Sequence, residues 1–331
     1  MPIGQNYCLA TALALIATVT FCACDQATDP ANASVTPDVG AYDPDFRPPA
    51  PMDASIIERA QIRVSTFNAR KFFDTRCDSR NCSGNSFEYE YPEAEFQAKA
   101  QQVANGVRTL ESDIVLLQEV ETETSMDALV GYLRSEEYDV HVLGETGSNA
   151  SLDVAIISRG TLIERRSHYD MVLPRPNGGT TRFSREFLEV HVEIEGRRVI
   201  VFNAHFKAKT RDDPDRRLAE AQAARGIVRA VADEFPDALI IMGGDLNDTP
   251  GSRPIEALEE GGGLLRVAAE LGSDAATYVY QGQAQAIDHL YLVETRGGGY
   301  VSGSARVVRS NQRGLAGSDH AALAALFLLP P

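Results

Sequence analysis

The stretch from Ile240 to Gly251, IIMGGDLNDTPG, combines a buried strand with a polar end and decides the fold. Residues 238–242 form a short apolar run of the kind that fills a buried β-strand. Two glycines follow, and they allow neighbouring backbone to approach closely. Asp245 and Asn247 come next, and alternation along an extended chain predicts that their side chains point to the same side. The stretch therefore predicts a polar site at the end of a buried strand.

The composition is that of a globular protein with an acidic surface. The chain has 331 residues, of which 44% are hydrophobic and 24% are charged, enough for one large domain or two smaller ones. Its formal net charge is −16. This charge argues against a DNA-binding protein that works through a broad basic face.

The first 24 residues carry a predicted export signal. Residues 9–21, LATALALIATVTF, are apolar over a length that is short for a membrane span and typical of a signal peptide. The following residues, ending at Cys24, resemble the bacterial lipoprotein signal, although Phe21 and the lack of a preceding Lys or Arg depart from the usual pattern. We therefore predict a lipoprotein-like signal peptide over 1–24, with lipid attached at Cys24 as a membrane anchor. Soluble export to the periplasm or medium and an uncleaved anchor are the alternatives.

The cysteines are consistent with export from a bacterial cell. Of the 5 cysteines, Cys77 and Cys82 are the two that lie beyond the predicted signal and lipidation site. An oxidising compartment favours a small disulfide between them. A metal site is the alternative, but neither a second cysteine pair nor a nearby histidine completes it.

The remainder of the chain divides into a tether and a folded domain. Residues 25–61 are rich in Pro, Asp and Ala without sustained periodicity, so we predict a disordered tether. From residue 62 to 331, apolar strands alternate with helical stretches, which predicts a layered α/β domain. The predicted strands are 62–67, 113–118, 152–158, 186–194, 198–206, 238–242, 287–293 and 322–329.

Local patterns refine these elements. The strands 186–194 and 198–206 are predicted to form a hairpin around Gly196. Polar residues alternate with apolar ones in 186–194, which predicts an antiparallel strand with one solvent-exposed face. Helices are predicted at 93–110 and at 214–235, the second with Asp213 as its N-cap.

Polar residues stand beside six of the predicted strands, and together they suit the hydrolysis of a phosphate ester. They are Asn68, Gln118–Glu119, Asn203–His205, Asp245–Asn247, Asp288–His289 and Ser318–His320. Glu119 is a candidate oxygen ligand for a hard cation, with Asp319 as a second candidate. We expect Mg²⁺ as the cofactor, with Mn²⁺ or Ca²⁺ as alternatives.

The remaining candidates have roles in proton transfer and phosphate binding. His320 is the candidate base that takes a proton from the attacking water, and Asp288 holds its imidazole in the required tautomer. His205, Asn68 and Asn247 are candidate donors to the phosphoryl oxygens. Further candidate phosphate contacts are Arg185 and Lys207, the second within a basic run formed by Lys207, Lys209, Arg211, Arg216 and Arg217. A solvated face is the alternative reading of that run.

The same residues, in the same order, resemble the endonuclease/exonuclease/phosphatase superfamily. This superfamily includes pancreatic deoxyribonuclease, abasic-site endonucleases, neutral sphingomyelinases and inositol polyphosphate phosphatases. The matching segments, which span residues 62 to 329, are STFNARKFF, LLQEVE, NAHFKAK, GGDLNDTP, IDHLYL and GSDHAAL. Within the superfamily, the chain is most similar to bacterial secreted nucleases.

The resemblance implies a fold and a set of roles. The fold would be α/β, a four-layer sandwich of two mixed β-sheets flanked by helices, with one or two divalent cations. The resemblance also implies His320 as the base paired with Asp288, Glu119 as metal ligand, and Asp245 and Asn247 orienting water and phosphate. Arg70 stands where several members have an acidic or amide residue, which weighs against a second metal position and adds a phosphate contact.

These observations lead to one leading hypothesis and two alternatives. The leading hypothesis is an exported, divalent-metal-dependent phosphodiesterase that hydrolyses DNA or RNA by in-line attack of water. The first alternative is a phosphatase or sphingomyelinase-like phosphodiesterase that acts on lipid or sugar phosphates. The second is a non-catalytic surface lipoprotein that serves as a binding module. We expect a monomer with nucleic acid as substrate and no protein partner.

Overall fold

The computed structural model describes residues 59–311 and 314–331. The predicted signal peptide, the lipidation site at Cys24 and nearly all of the predicted tether lie outside these residues. Within them, no helix is both long enough and apolar enough to cross a membrane.

Strands and helices alternate along the described chain. The helices are α1 (Glu93–Leu110), α2 (Glu123–Tyr132), α3 (Pro214–Glu234) and α4 (Arg253–Glu259), with 3₁₀ segments at Arg134–Glu136 and Val267–Ala275. The strands are β1 (Gln61–Phe72), β2 (Ile114–Val120), β3 (Val140–Gly144), β4 (Asp153–Ser158), β5 (Thr161–Arg166), β6 (Leu173–Pro174), β7 (Thr180–Thr181), β8 (Leu188–Ile194), β9 (Arg197–His205), β10 (Leu239–Asp245), β11 (Leu264–Arg266), β12 (Tyr278–Tyr280), β13 (Gln283–Gln285), β14 (Asp288–Val293), β15 (Gly299–Tyr300), β16 (Arg306–Val308) and β17 (Ala322–Leu328).

Two mixed sheets contain all of the longer strands. The first sheet has the order β15–β17–β1–β2–β4–β3, with β16 also paired to β17. The second has the order β11–β14–β10–β9–β8–β5. The pairs β1–β2 and β9–β10 are parallel, and the ends of these four strands therefore bring polar residues to one edge of each sheet.

The two sheets stack face to face between two layers of helices. Apolar side chains from both sheets meet in one core, among them Val64 and Ile156 from the first sheet and Val190 and Val201 from the second. Helices α1 and α2 cover the outer face of the first sheet, and α3 and α4 cover the outer face of the second. The predicted four-layer α/β sandwich is thereby confirmed.

A buried pair of amide side chains joins the two sheets. Asn203, in β9, donates from Nδ2 to the backbone oxygens of Leu117 and Ala155 at 2.7 and 2.8 Å. Gln118, in β2, donates from Nε2 to Asn203 Oδ1 at 2.7 Å. Both side chains are buried, where an unmade hydrogen bond is costly. The pair therefore holds one sheet in a fixed position against the other, two residues before β9 ends at His205.

The eight predicted strands and both predicted helices occur. Their boundaries differ from the prediction by a few residues, the largest difference being β1, which continues to Phe72. Helix α3 begins as predicted, because the side chain of Asp213 accepts from the backbone N–H of Arg216 at 3.1 Å. Strands β8 and β9 form the predicted hairpin.

The predicted solvent-exposed face of strand β8 is wrong. Glu189 and His191 are buried, and Glu193 alone among the polar residues of this strand is exposed. Glu189 is surrounded by partners: His168 Nε2 at 2.8 Å, His191 Nε2 at 2.6 Å and Arg166 Nη1 at 3.3 Å. A carboxylate can be buried when such donors satisfy its oxygens. We call Glu189, His191, His168 and Arg166 the β8 cluster.

Candidate active site

Two glycines allow β10 to bring Asp245 between two other polar residues. A Cβ atom at Gly244 would lie 1.9 Å from the backbone oxygen of Ala204, and one at Gly243 would lie 2.6 Å from Leu290 Cδ2. Any side chain at Gly244 would therefore push β10 away from β9. With glycine there, Asp245 pairs in register with His205 on one side and with Asp288 on the other.

Asn247 does not continue the strand, so the prediction that it alternates with Asp245 along one extended backbone is wrong. Strand β10 ends at Asp245, and Asn247 has a φ of +53°, in the left-handed region that Asn tolerates better than most residues. Asp245 Oδ1 accepts from Asn247 N at 3.0 Å, which stabilises a turn. Asn247 Nδ2 donates to Phe206 O at 3.2 Å.

The first sheet contributes Asn68 and Glu119 from the ends of β1 and β2. Asn68 Nδ2 donates to Asp245 Oδ2 at 3.0 Å and lies 3.3 Å from Glu119 Oε1. Asn68 is buried, and its amide group is engaged by these two carboxylates rather than presented to a phosphate. Asn68 therefore links Glu119 of the first sheet to Asp245 of the second sheet.

His320 and Asp288 form a second link between the sheets. His320 Nδ1 lies 2.9 Å from Asp288 Oδ2, and its Nε2 lies 3.9 Å from Asp245 Oδ2. The ring of Tyr278 packs against the imidazole with a centroid distance of 4.7 Å. Asp288 Oδ1 is buried and has no hydrogen-bond partner among the described residues.

Burial and neighbouring carboxylates determine the protonation of His320 and Asp245. Burial lowers the pKa of His320, but Asp288, Asp245 and Asp319 together raise the pKa to about 10. Burial and the charge of Asp288 raise the pKa of Asp245 to about 7. His320 and Asp288 thus form a buried ion pair, beside a carboxyl group for which the charged form is costly.

His205 is the second imidazole of the site. It is buried at the end of β9, with Nε2 3.7 Å from Asp245 Oδ2, and its Nδ1 has no partner in the described part of the chain. Burial, together with the positive charges of Arg185 and His320, holds the pKa of His205 well below its usual value. A neutral imidazole carries one N–H, so His205 can donate a hydrogen bond to an anionic oxygen.

These side chains meet at a cavity of about 840 Å³, which we call the main cavity. Nine of the predicted site residues line it: Arg70, Glu119, Arg185, His205, Lys207, Asp245, Asn247, Asp319 and His320. The other two, Asn68 and Asp288, lie behind this lining as partners of Asp245 and His320. The structure therefore brings all eleven positions together, although they span more than 250 residues of sequence.

The basic residues divide between the cavity and the interior. Lys207 and Lys209 line the main cavity, as do Arg70 and Arg185. Arg217, in contrast, is buried and paired with acidic residues, with Nη1 2.7 Å from Asp212 Oδ1 and Nε 2.9 Å from Asp248 Oδ2. The predicted basic run is therefore neither wholly a solvated face nor wholly a phosphate rim.

Several residues that line the main cavity were not predicted from the sequence. They are Lys71, Phe87, Tyr278 and Tyr280, from the end of β1, the loop before α1 and the ribbon β12–β13. The loop before α1 is closed by a disulfide between Cys77 and Cys82, rather than by the alternative metal site. The aromatic spacing in the segments SFEYEYP and TYVYQG was the available signal.

The donor set fits a hard divalent cation. Asp245, Asp288 and His320 each place a potential ligand atom within 4.8 Å of the others. Asp288 and His320 are hydrogen-bonded to each other. The carboxylates that line the cavity as candidate oxygen ligands are therefore Asp245 and Glu119, which lie on either side of Asn68. Carboxylate oxygens beside an open, polar space are the ligands that Mg²⁺ prefers. The carboxylate of Asp319 forms an ion pair with the guanidinium of Arg70, with Oδ1 3.4 Å from Nε.

Comparison with known proteins gives one family and a consistent fold. The model of the Endonuclease/Exonuclease/phosphatase family matches residues 65–320. Similar solved structures include truncated TDP2 of Caenorhabditis elegans, at 21% identity and a TM-score of 0.57, covering 81% of this chain and 97% of that one. The endonuclease/exonuclease/phosphatase of Bacteroides vulgatus has 17% identity and a TM-score of 0.55, covering 82% and 100%. TDP2 of D. rerio complexed with single strand DNA product has 17% identity and a TM-score of 0.54, covering 81% and 99%. No curated protein matches significantly.

Proposed function

Because the chain belongs to the endonuclease/exonuclease/phosphatase family, whose members are metal-dependent phosphoric ester hydrolases, we propose that it is a phosphodiesterase that cleaves DNA or RNA. One observation carries the proposal. The hydrogen-bonded pair His320–Asp288 and the carboxylate of Asp245 meet at the wall of a cavity whose rim holds Arg70, Arg185 and Lys207. An acid–base group next to cations is what the cleavage of an anionic ester requires.

His320 is the base in this mechanism. Its Nδ1 is held by Asp288, so Nε2 is the nitrogen that accepts a proton from water when the imidazole is in its neutral form. Asp288 fixes the tautomer and stabilises the imidazolium that forms after the transfer. A divalent cation bound at Glu119 and Asp245 would stabilise charge on the phosphate as a Lewis acid and would lower the pKa of His320, since like charges oppose its protonation.

Other residues of the cavity hold the phosphate for in-line attack. The neutral His205 donates one N–H to a phosphoryl oxygen, and Arg185 and Lys207 attract the remaining negative charge. Asn247, fixed by its turn, orients the phosphate beside Asp245. Participation of Asp319 as a metal ligand requires that its ion pair with Arg70 opens.

Nucleic acid is the substrate that the charge distribution favours. The net charge of the chain is −16, yet five cations line the main cavity: Arg70, Lys71, Arg185, Lys207 and Lys209. Such a local cluster offsets the repulsion that a polyanion meets elsewhere on the surface. The presence of a single strand DNA product in the D. rerio TDP2 structure gives a precedent on this fold.

We also propose that the protein is exported, as a lipoprotein or in soluble form. The Cys77–Cys82 disulfide supports this, because disulfides persist in oxidising compartments and are rare in the cytosol. Fractionation of the native host cells, with mass spectrometry of the mature N-terminus, tests it. A cytosolic location with an intact N-terminus would contradict export.

A substrate panel tests the proposed function. The purified protein is offered plasmid DNA, RNA, sphingomyelin and bis(4-nitrophenyl) phosphate, each with Mg²⁺ and with a chelator. Cleavage of a nucleic acid that stops with chelator and with His320→Ala is the expected result. Release of phosphocholine without cleavage of nucleic acid would instead assign a lipid phosphodiesterase. A folded protein that turns over none of these would indicate a binding module.

A further inference from the structure

Exposed aromatic side chains are concentrated around the site. Among the described residues, three aromatic side chains are exposed: Phe87 at 56%, Tyr89 at 43% and Tyr280 at 53%. Phe87 and Tyr280 line the main cavity, and Tyr89 lines a second cavity of about 560 Å³. The exposed aromatic rings thus lie together at the two cavities, whereas other exposed apolar side chains such as Leu162 and Leu265 lie outside them. A cluster of exposed rings is typical of a surface that contacts a ligand.

The second cavity adjoins the main one. Both are lined by Arg70 and Lys71, which form a shared wall that we call the basic ridge. The second cavity also contains Tyr91, whose ring lies 4.7 Å from that of Tyr89 in an edge-to-face arrangement, and Lys99. A ligand longer than one phosphodiester unit can therefore extend from the reacting centre across the ridge.

The basic ridge is held in an unusual backbone conformation by the site itself. Arg70 and Lys71 have φ values of +55° and +48°, a conformation that costs on the order of 1 kcal/mol for each residue without compensation. Asn68 Oδ1 accepts from Arg70 N at 2.9 Å, and Glu119 Oε2 accepts from Lys71 N at 2.7 Å. The backbone that carries the two cations is thus held by two residues of the active site.

Cations and aromatic rings lie side by side on this surface. Lys71 Nζ, on the ridge, lies 5.2 Å from the centre of the Phe87 ring. Lys99 and Glu95 line the second cavity. Lys99 Nζ donates to Ala69 O at 2.7 Å, and Glu95 accepts from the Tyr89 hydroxyl at 3.1 Å. Positive charge for the backbone and ring faces for the bases are the two features by which proteins bind unpaired nucleic acid strands.

We propose that the two cavities form one path for a single-stranded nucleic acid. Bases next to the cleaved phosphate stack on Phe87 and Tyr280, and the strand crosses the basic ridge to place a further base on Tyr89. In a duplex the faces of the bases are already covered by stacking, so the path selects unpaired strands. This inference rests on the proposed nuclease function and specifies its substrate.

The test compares strand form and length on the full-length protein. Steady-state kcat and KM are measured for an oligonucleotide of about twelve nucleotides, single-stranded and in a duplex, and for a dinucleotide. Binding of the labelled single strand to the His320→Ala variant is measured separately by fluorescence anisotropy. We expect kcat/KM for the single strand to exceed that for the duplex by about tenfold or more, and a lower KM for the longer strand.

Aromatic variants locate the path. Phe87→Ala and Tyr89→Ala are each expected to raise KM, and Kd in the His320→Ala background, about tenfold for the single strand, with a smaller change in kcat. Tyr89→Phe keeps the ring face and is expected to restore tight binding. Leu265→Ala removes an exposed apolar side chain at a position outside both cavities and serves as the matched control.

Each outcome has a defined meaning. Equal cleavage of single strand and duplex, or unchanged KM and Kd in Tyr89→Ala, would overturn the path and leave the nuclease function intact. No cleavage and no binding of any oligonucleotide would overturn the nuclease function, and the path with it. If the aromatic variants weaken binding to sphingomyelin vesicles but not to the oligonucleotide, the surface contacts a membrane and the path is wrong.

Discussion

Within residues 59–311 and 314–331, two clusters of buried histidines and carboxylates differ in how completely their polar atoms are paired. In the β8 cluster, Glu189 is surrounded by His168, His191 and Arg166. Burial raises the pKa of Glu189, but the hydrogen bonds from the two histidines outweigh it and lower the pKa to about 2. None of these residues lines either of the two cavities that surround the site. The β8 cluster therefore stabilises the fold.

The active-site cluster is paired less completely. Asp288 Oδ1 and His205 Nδ1 have no partner within the described chain, and the pKa of Asp245 is raised rather than lowered. His205 and Asp245 also line the main cavity, and Asp288 lies directly behind that lining as the partner of His320. A buried cluster of histidines and carboxylates is therefore not in itself a sign of catalysis. The active site is distinguished by buried polar atoms that lack hydrogen-bond partners and lie beside a cavity.

Removing one histidine from each cluster gives the largest expected difference. His320→Ala is expected to lower kcat/KM for a phosphodiester about 10³-fold, because it removes the general base. His191→Ala removes a partner of Glu189 and is expected to lower stability while active sites in the folded protein continue to work. Cleavage rates and urea unfolding of both variants provide the measurement. Comparable losses of activity in the two variants would show that the β8 cluster and the active-site cluster do not differ in function.

Neutralising one carboxylate from each cluster is expected to change stability in opposite directions. The pKa of Glu189 is about 2 in the folded protein and about 4.3 when unfolded, so its ionisation contributes stability above about pH 4.3. That contribution, about 3 kcal/mol, is lost as the pH falls from about 4.3 to 2. Glu189→Gln is expected to remove this part of the acid dependence and to destabilise the protein at neutral pH.

For Asp245, the expected change of stability with pH has the opposite sign. Because its pKa is raised to about 7, stability is lost as the pH rises from about 4 through 7. Asp245→Asn is expected to abolish activity and yet to equal or exceed the wild type in unfolding free energy near pH 8. Urea unfolding over a range of pH checks both carboxylates. A destabilised Asp245→Asn would mean that Asp245 is a structural residue like Glu189.

The carboxylate of Glu119 is expected to affect metal dependence rather than stability. Glu119→Gln is expected to raise the half-saturating Mg²⁺ concentration about 10- to 100-fold, since a ligand or its close support is lost. High Mg²⁺ is expected to restore part of the activity, and unfolding free energy is expected to change by less than about 1 kcal/mol. Mg²⁺ titrations of activity measure this, with Glu189→Gln as the matched carboxylate control. Loss of stability without a change in Mg²⁺ dependence would identify Glu119 as structural.

The smallest expected effect lies outside both clusters. Replacing Cys77 and Cys82 together by serine opens a short loop, and the chain-entropy model gives a loss of about 2 kcal/mol. Hydrolysis of bis(4-nitrophenyl) phosphate is expected to change less than about threefold, because the disulfide touches neither cluster. Activity and thermal unfolding of the double variant provide the check. A large loss of activity on this small substrate would show that the loop positions the site.

Patterns that are local in sequence predicted the framework. The apolar runs of β2, β9 and β10 are buried on both faces, so each could be recognised without knowing its neighbours. Each strand also carries its polar end residue with it, so the site residues could be assembled from strand ends alone. Strand β5 was missed because it lies at a sheet edge and its residues, TLIERR, are mostly exposed.

Features that depend on distant partners were not predicted. The burial of Glu189 requires His168 and Arg166, which come from segments outside its own strand. The turn at Asn247 replaces an extended strand because the carboxylate of Asp245 bonds to its backbone. The meeting of Phe87 with Tyr280 depends on two loops that are nearly 200 residues apart in sequence. None of these contacts has a periodic signature.

The amide pair Asn203–Gln118 has a consequence for how heat would inactivate this protein. Asn68 and Glu119 belong to one sheet, and His205 and Asp245 belong to the other. We therefore expect that a small slide between the sheets would separate them while every strand stays intact. Circular dichroism would then still show a native spectrum in molecules that no longer turn over substrate. The difference between the temperature of inactivation and the temperature of unfolding would therefore measure how firmly Gln118 and Asn203 hold the two sheets together.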